Sequence, residues 1–251
     1  MRYIKEIMIV AVCLMVLSFC VCTGFGIYFM YREGVQEYED LRTYVKETDE
    51  DDHTEGTDGS DGKQTVVDFK ALKKINPDIV AWIRIPDTSI DYPVVQGNDD
   101  FYYLTHTFKK AEHVAGAIFL DSDNNADFSD DKNIIYGHNM KNLSMFGKLK
   151  YYNRDENYYD SHQYFQILVD GKKYRYQIFS YETVSDDSDE YTVGFEPDET
   201  FGKFVQRMAA SSMKDTGIVP TKDDKVVTLS TCSTSGETYR FVVHGVRVDE
   251  H

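Results

Sequence analysis

Apolar and polar residues alternate with a period of two from about residue 66 to the end of the chain, interrupted by turn-forming residues. The strongest instance is "QYFQILVDGKKYRYQIFSYETV", in which Asp170-Gly171 separates two runs rich in aromatic and β-branched residues. Such a glycine supplies the positive φ that a tight hairpin needs. Because strands have this period and helices do not, the pattern predicts a mainly β domain.

Eight strands are predicted, which is enough to close a barrel around one core. They lie at residues 79–85, 89–95, 115–120, 132–136, 163–170, 173–184, 225–231 and 239–247. Peripheral helices are predicted at residues 67–75, 97–104, 143–150 and 197–213. The last helix opens on acidic residues and is amphipathic, with an apolar side formed by Phe201, Phe204, Val205 and Met208.

Residues 7–31 carry no charge over 25 positions, which as a helix would cross a hydrocarbon core of about 30 Å. Arg2 and Lys5 precede this run and acidic residues follow it. The positive-inside rule therefore predicts a cytoplasmic N-terminus at residues 1–6, a transmembrane signal anchor at 7–31 and an extracellular remainder. A cleaved signal peptide is the alternative, although the run exceeds the usual apolar core of about 7 to 15 residues.

An acidic segment follows at residues 32–65. Between residues 33 and 63 it holds 12 acidic and 3 basic residues, giving −9 of the formal net charge of −16. This composition predicts a solvated flexible linker, because it offers little apolar surface to bury. A calcium-binding loop is the alternative, but the ligand spacing of an EF-hand is missing. The acidity, without a compensating basic cluster, argues against nucleic acid as a partner.

Cys232 ends the predicted strand "VVTLSTC" and is the only cysteine outside the first 22 residues. Cys13, Cys20 and Cys22 lie in the apolar run, where they serve as small apolar residues. A domain that used disulfides for stability would carry an even number of cysteines. The lone thiol is therefore either a reactive group or an inert buried one.

A cysteine attacks carbonyl groups as its thiolate, so a proton acceptor or a cation must lie near. His138 follows the apolar strand "NIIY" through Gly137, at a strand end where site residues concentrate. His244 lies inside the last strand and is the main rival, and His106 and His113 flank a helix end and a loop. The pattern favours His138 and leaves the others open.

Arg240 follows Cys232 by eight residues, across the short connection "STSGETY". If the flanking strands pair, the arginine returns beside the thiol. Its fixed fork of donors can hold an acyl oxygen on which negative charge develops. A strand arginine paired with a surface carboxylate is the alternative.

These segments together resemble the signatures of sortases. The resemblance rests on "TLSTC" with an arginine eight residues on, on "YGHNM" upstream, and on residues 75–104, which are similar to the N-terminal part of class B sortases. It covers roughly residues 67–248 and implies a closed eight-stranded sortase barrel at 66–251. It further implies a helix inserted before the strand that ends in Cys232.

The activity that the resemblance implies is that of a membrane-anchored cysteine transpeptidase without metal or cofactor. Cys232 would be the nucleophile, His138 the general acid and base, and Arg240 the stabiliser of the oxyanion. The enzyme would cut surface proteins at a C-terminal sorting signal, after its threonine, through a thioester. It would then transfer the shortened protein to an amine of peptidoglycan or of its lipid-linked precursor.

Leu104, Tyr136 and Ser230 fall where the family lines the groove for the sorting signal, which would be of the N-P-x-T-x or S/P-P-x-T-x kind. Asp100 stands where an asparagine is expected in that groove. Two other functions stay open: an exported cysteine peptidase that only hydrolyses, and a noncatalytic binding domain of the same fold.

Overall fold

The protein is described by a computed structural model that covers residues 2–49, 63–232 and 238–250. The chain divides into two compact units, Met1–Asp40 and Leu41–His251. Helix α1 spans Arg2–Arg42, and its residues up to Asp40 belong to the first unit.

The predicted transmembrane anchor at residues 7–31, and the membrane location derived from it, are not supported. Among the helices of the described residues, none combines the length and the apolar character that crossing a membrane demands. The prediction rested on an absence of charge, but a run without charge is not uniformly apolar. Ser18 and Thr23 are polar residues within this run.

The acidic segment contributes regular structure at both of its ends. Strands β1 (Val45–Asp49) and β2 (Lys63–Val67) pair antiparallel. The Arg84 guanidinium lies 2.7 Å from the Glu47 carboxylate of β1. Residues 50–62, the centre of the predicted linker, lie outside the described residues. The domain boundaries predicted from composition therefore stay a prediction.

The second unit is built on eight further strands. These are β3 (Ile79–Arg84), β4 (Asp91–Val95), β5 (Ile118–Leu120), β6 (Lys132–His138), β7 (Tyr164–Val169), β8 (Lys172–Ser185), β9 (Val226–Cys232) and β10 (Tyr239–Glu250). They close into a barrel in the order β10-β8-β7-β3-β4-β5-β6-β9. The pairs β4–β5 and β6–β9 are parallel, and the other neighbours are antiparallel. The predicted mainly β architecture with a closed eight-stranded barrel is confirmed.

The hairpin between β7 and β8 turns where the sequence predicts. Val169 pairs with Lys172, so that Asp170 and Gly171 form the whole connection. Gly171 has a φ of +83°, a conformation that residues with a Cβ rarely adopt.

Short helices surround the barrel: α2 (Phe69–Ile75), α3 (Tyr102–Thr105), α4 (Tyr151–Arg154), α5 (Tyr158–Ser161), the 3₁₀ helix η1 (Asp189–Tyr191) and α6 (Glu199–Ala210). The helix predicted at residues 97–104 is shorter than expected and lies at its C-terminal end, as α3. The helix predicted at 143–150 is wrong. Leu143 and Met145 have φ values of 66° and 53°, which exclude a right-handed helix there.

Helix α6 is the inserted helix between β8 and β9 that the sequence predicts. The Asp198 side chain caps its N-terminus by accepting from the amides of Thr200 and Phe201 at 2.7 and 3.0 Å. The buried side of α6 joins the barrel wall in one apolar cluster, formed by Phe201, Val205, Met208, Phe179, Val226 and Val246. Since α6 packs on Val226, it covers the first residue of β9 on its outer face.

Candidate active site

The parallel strands β6 and β9 pair along their whole length, from Lys132 with Val226 to His138 with Cys232. Side chains at every second position of a strand share a face of the sheet. Successive pairs on the outer face therefore form a column, which consists of Lys132 with Val226, Ile134 with Thr228, Tyr136 with Ser230, and His138 with Cys232. The lower end of this column lies under α6, and its upper end is the predicted site.

His138 is buried, and its Nε2 lies 2.6 Å from the carbonyl oxygen of Leu104. A carbonyl oxygen can only accept, so Nε2 must carry a proton in this contact. Nδ1 is then the ring atom that can exchange a proton. The preceding Gly137 makes the position possible, because a Cβ there would collide with Ile118 and would lie 2.8 Å from Phe146.

Strand β10 flanks β9 on the side opposite β6, with Val242 paired to Ser230. At the next position, Thr231 Oγ1 accepts from the Phe241 amide at 3.1 Å and donates to its carbonyl oxygen at 3.2 Å. Arg240 and Cys232 each lie two residues beyond the last register pair of β10 with β9, which is Val242 with Ser230. The three predicted catalytic residues therefore come from neighbouring strand ends.

Arg240 is held by groups of its own surroundings. Its guanidinium lies 3.3 Å from the Asp186 carboxylate and donates to the Tyr239 carbonyl oxygen at 3.1 Å. The ion pair that was the alternative interpretation of this arginine is thus present. The two interpretations are compatible, because a guanidinium carries five N–H donors.

Two of the three predicted groove residues are register partners. The Tyr136 hydroxyl donates to the Asp121 carboxylate at 2.8 Å, and burial, reinforced by that carboxylate, raises the pKa of Tyr136 well above its usual value. Ser230 is buried, and its Oγ lies 2.9 Å from the Tyr191 hydroxyl. Leu104, the third, reaches the site through the carbonyl oxygen that contacts His138.

Asp100, which departs from the expected asparagine, accepts from the Ser122 amide at 2.8 Å. Burial raises the pKa of its carboxyl group, the bond to Ser122 opposes this rise, and the nearby Asp121 carboxylate adds to it. A carboxylate can accept this bond as well as an amide oxygen can, but it brings negative charge next to Asp121.

Comparison with known proteins places the chain in a family. The sortase domain matches residues 83–248. Sortase B of Listeria monocytogenes is 38% identical over 183 residues, which are 71% of this chain and 73% of that protein. Sortase B of Staphylococcus aureus is 34% identical over 178 residues, which are 70% of this chain and 72% of that protein.

The chain belongs to the class B sortases.

Solved sortase B structures share the fold. One from Bacillus anthracis, in complex with AAEK1, superposes with a TM-score of 0.74 at 30% identity over 88% of this chain and 99% of its own. A Staphylococcus aureus sortase B–substrate complex gives 0.68 at 31% identity over 72% and 84%. The resemblance found in the sequence is confirmed, and the protein is a cysteine transpeptidase built on a β-barrel.

His244, the main rival of His138, is placed away from Cys232 in this sortase. It pairs with Thr228, and its Nδ1 lies 3.0 Å from the Thr228 Oγ1. Its ring is fully buried, and that burial holds its pKa well below the usual value. Each register pair of the column is one row, and Thr228 lies two rows below Cys232. His244 stays neutral and is a packed residue of the barrel wall.

The remaining two histidines are occupied by local contacts. The His106 ring stacks on Tyr102 with 4.1 Å between ring centroids, and its Nδ1 lies 2.9 Å from the Tyr102 carbonyl oxygen. The Nδ1 of His113 accepts from the Ala115 amide at 3.0 Å. Of the four candidates, His138 is the one paired with Cys232.

Sequence reasoning missed a buried ionisable cluster at the lower end of the column, made of Lys132, Glu190 and His244. Burial lowers the pKa of Lys132 to about 7 and raises that of Glu190 to about 7. A signal was present, because Lys132 stands in period-two register with Tyr136 and His138. Its partner Glu190 could not be found in the same way, because it comes from a distant turn.

Proposed function

We propose that this sortase cleaves a C-terminal sorting signal of the N-P-x-T-x or S/P-P-x-T-x kind after its threonine and transfers the shortened protein to an amine of peptidoglycan or of its lipid-linked precursor. The observation that carries the proposal is the pairing of His138 with Cys232 at the adjoining ends of β6 and β9. A thiol with an imidazole as neighbour is the minimal pair for acyl transfer.

In the first half of the proposed reaction, the Cys232 thiolate attacks the threonine carbonyl carbon. The Arg240 guanidinium stabilises the negative charge that develops on the carbonyl oxygen. The C–N bond then breaks, His138 gives the departing amine the proton that it took from the Cys232 thiol, and the acyl group remains on Cys232 as a thioester.

In the second half, an incoming amine attacks the thioester carbonyl carbon. His138, now without the donated proton, takes a proton from that amine. The C–S bond breaks, the new amide bond is complete, and Cys232 leaves as thiolate. Atoms and charges balance without any group beyond these side chains and the two substrates.

We assign the groove for the signal to Leu104, Tyr136 and Ser230. The pairing of Tyr136 with Ser230 one row below Cys232 supports this assignment, as does the contact between Leu104 and His138. A Staphylococcus aureus relative has been solved as a substrate complex, which supports a peptide ligand for this groove.

The test is to incubate the protein with a panel of sorting-signal peptides, with and without an added amine, and to follow the products by mass. An amide product that replaces the hydrolysis product when amine is present supports the proposal. Hydrolysis that amine does not divert makes the protein a peptidase. Failure to turn over any peptide, together with a Cys232 that resists alkylation, would make it a binding domain.

A further inference from the structure

Lys132 starts the face of β6 that ends in His138, and its side chain is fully buried. Its Nζ donates to the carbonyl oxygens of Glu190 and Thr192 at 2.7 and 3.0 Å. Buried carbonyl groups need such partners. Lys132 on the barrel wall therefore binds the backbone on either side of Tyr191, the last residue of η1. The Tyr191 amide in turn donates to the Ser188 carbonyl oxygen at 3.2 Å, which closes the turn of η1.

Tyr191 lies between the two carbonyl groups that Lys132 holds. Its hydroxyl is 2.9 Å from the Ser230 Oγ. Its ring lies almost parallel to that of Tyr136, with 6.2 Å between centroids and 13° between planes. Because Ser230 and Tyr136 stand one row below Cys232 and His138, the position of Tyr191 defines the surface immediately beneath the reacting groups.

The surroundings of Lys132 are not those expected of a residue retained for stability. Its ammonium group is buried against two backbone carbonyl oxygens, and burying a charge costs free energy unless an opposite charge pairs with it. Within the described part of the chain, Glu190 Oε2 and His244 Nε2 face each other at 4.0 Å without hydrogen-bond partners. Unsatisfied buried polar atoms of this kind destabilise the fold. The arrangement therefore points to a task in orientation.

We propose that Lys132 is a positioning residue for the transpeptidase reaction. Through the carbonyl groups of Glu190 and Thr192 it fixes Tyr191 against Ser230 and Tyr136, as one wall of the groove that receives the sorting signal. The inference rests on the proposed function, because that groove is part of it. Lys132 itself touches neither the substrate nor the reacting atoms.

The main variant is Lys132→Met, which keeps the length of the side chain and removes its donors. We expect kcat/KM for a signal peptide to fall by about 10- to 100-fold, the scale for misplaced positioning groups, and mainly through KM. Alkylation of Cys232 by iodoacetamide should keep the wild-type rate, because a small reagent does not use the groove wall. If Lys132 acts through Tyr191, the double variant Lys132→Met with Tyr191→Ala should be no worse than Tyr191→Ala alone.

Ser180→Ala is the matched control for lost stability. The Ser180 hydroxyl donates to the Met208 carbonyl oxygen at 2.7 Å, so this variant also removes a buried donor from a carbonyl group, but on α6 rather than on η1, and it leaves that oxygen the Ser211 hydroxyl at 3.3 Å. It should keep the wild-type KM. Equal effects of Ser180→Ala and Lys132→Met on KM at equal stability would overturn the proposal, as would additive effects in the double variant.

A readout without substrate separates this proposal from the proposed function. Hydrogen exchange of the amides of residues 190–192, followed by mass spectrometry, should be faster in Lys132→Met than in wild type. If wild type turns over no signal peptide, the proposed function fails while this exchange still tests Lys132. Unchanged exchange would refute the positioning role. If Lys132→Met does not fold, Tyr191→Ala alone must raise KM, and an unaltered KM there would equally refute it.

Discussion

His138 and Cys232 are register partners at the ends of two parallel strands, and the seven pairs that lead up to and include them contain no bulge. In a parallel pair both strands end at the same edge of the sheet, so two residues far apart in sequence meet there. The separation of the two backbone positions is consequently set by strand pairing. The following changes test what this arrangement does.

Replacing Cys232 by alanine should abolish peptide cleavage and leave the fold intact. No other cysteine belongs to the second compact unit, so no thiol can substitute for it. The checks are turnover of a signal peptide by mass spectrometry and circular dichroism of the same sample. Turnover that persists in a folded variant would remove Cys232 from the role of nucleophile.

His138→Ala should lower the rate by at least about 100-fold, the usual scale of general acid and base catalysis. His244→Ala should lower it much less, since His244 contacts Thr228 and not the row of Cys232. Because His244 is fully buried, rates are to be normalised to the folded fraction. The opposite order of effects would transfer the role to His244.

Gly137→Ala should destabilise the protein and lower its activity. The added Cβ would lie 2.8 Å from the Phe146 ring, so either that side chain or the end of β6 that carries His138 must shift. Overpacking of this kind costs about 1–3 kcal/mol. Gly202→Ala in α6 is the control, because its Cβ approaches no heavy atom closer than 3.2 Å. Urea unfolding of both variants gives the comparison, and equal stabilities would contradict the packing argument.

Glu190 should cause stability to fall as the pH rises from about 5 to 7, whereas the buried His244, whose pKa is lowered, acts in the opposite sense over part of that range. Burial and the nearby Glu182 raise the pKa of Glu190 from 4.5 to about 7, against the attraction of Lys132 and Arg207. The folded state then holds a proton that the unfolded chain has released, which favours folding at the lower pH. The buried Lys132, with its pKa lowered to about 7, acts in a separate window at higher pH.

Glu190→Gln should remove most of that fall, which amounts to no more than about 3 kcal/mol at roughly 1.36 kcal/mol per pKa unit. Asp189 and His244 also face this carboxyl group and stay in place in the variant. Urea unfolding of wild type and variant at pH 5 and pH 7 measures the difference. A stability difference between the two proteins that is the same at both pH values would reject Glu190 as the titrating group.

The sequence predicts the barrel well because each strand turns one face towards the core. Apolar and polar residues therefore alternate along the strand with a period of two. The sequence singles out His138 because a histidine after an apolar strand and a glycine stands at a strand end. It cannot predict that Lys132 meets Glu190, since that contact depends on where η1 packs. Nor does it predict the positive φ angles of Leu143 and Met145, because the composition of residues 143–150 favours a helix.

Arg240 gives the last test, because its surroundings permit two different roles. It lies near the start of β10, two residues beyond the last register pair with β9, and its guanidinium lies 3.3 Å from the Asp186 carboxylate. It could hold the carbonyl oxygen of the signal peptide, or it could supply positive potential that favours the thiolate. The first role needs a planar fork of donors, which lysine lacks, and the second needs charge, which lysine has.

We expect Arg240→Lys to be nearly as damaging as Arg240→Ala. If the guanidinium donates to the carbonyl oxygen of the signal peptide as negative charge develops there, each variant should lose about 2.7 to 4 kcal/mol of transition-state stabilisation, the value for one oxyanion donor. The loss should appear in kcat/KM for every signal peptide, because the gripped oxygen belongs to the cleaved bond in all of them. Turnover by wild type and both variants, with circular dichroism to show that each is folded, decides the matter. A lysine variant close to wild type would leave Arg240 with a general electrostatic role, since an ammonium can replace the charge of a guanidinium but not its geometry.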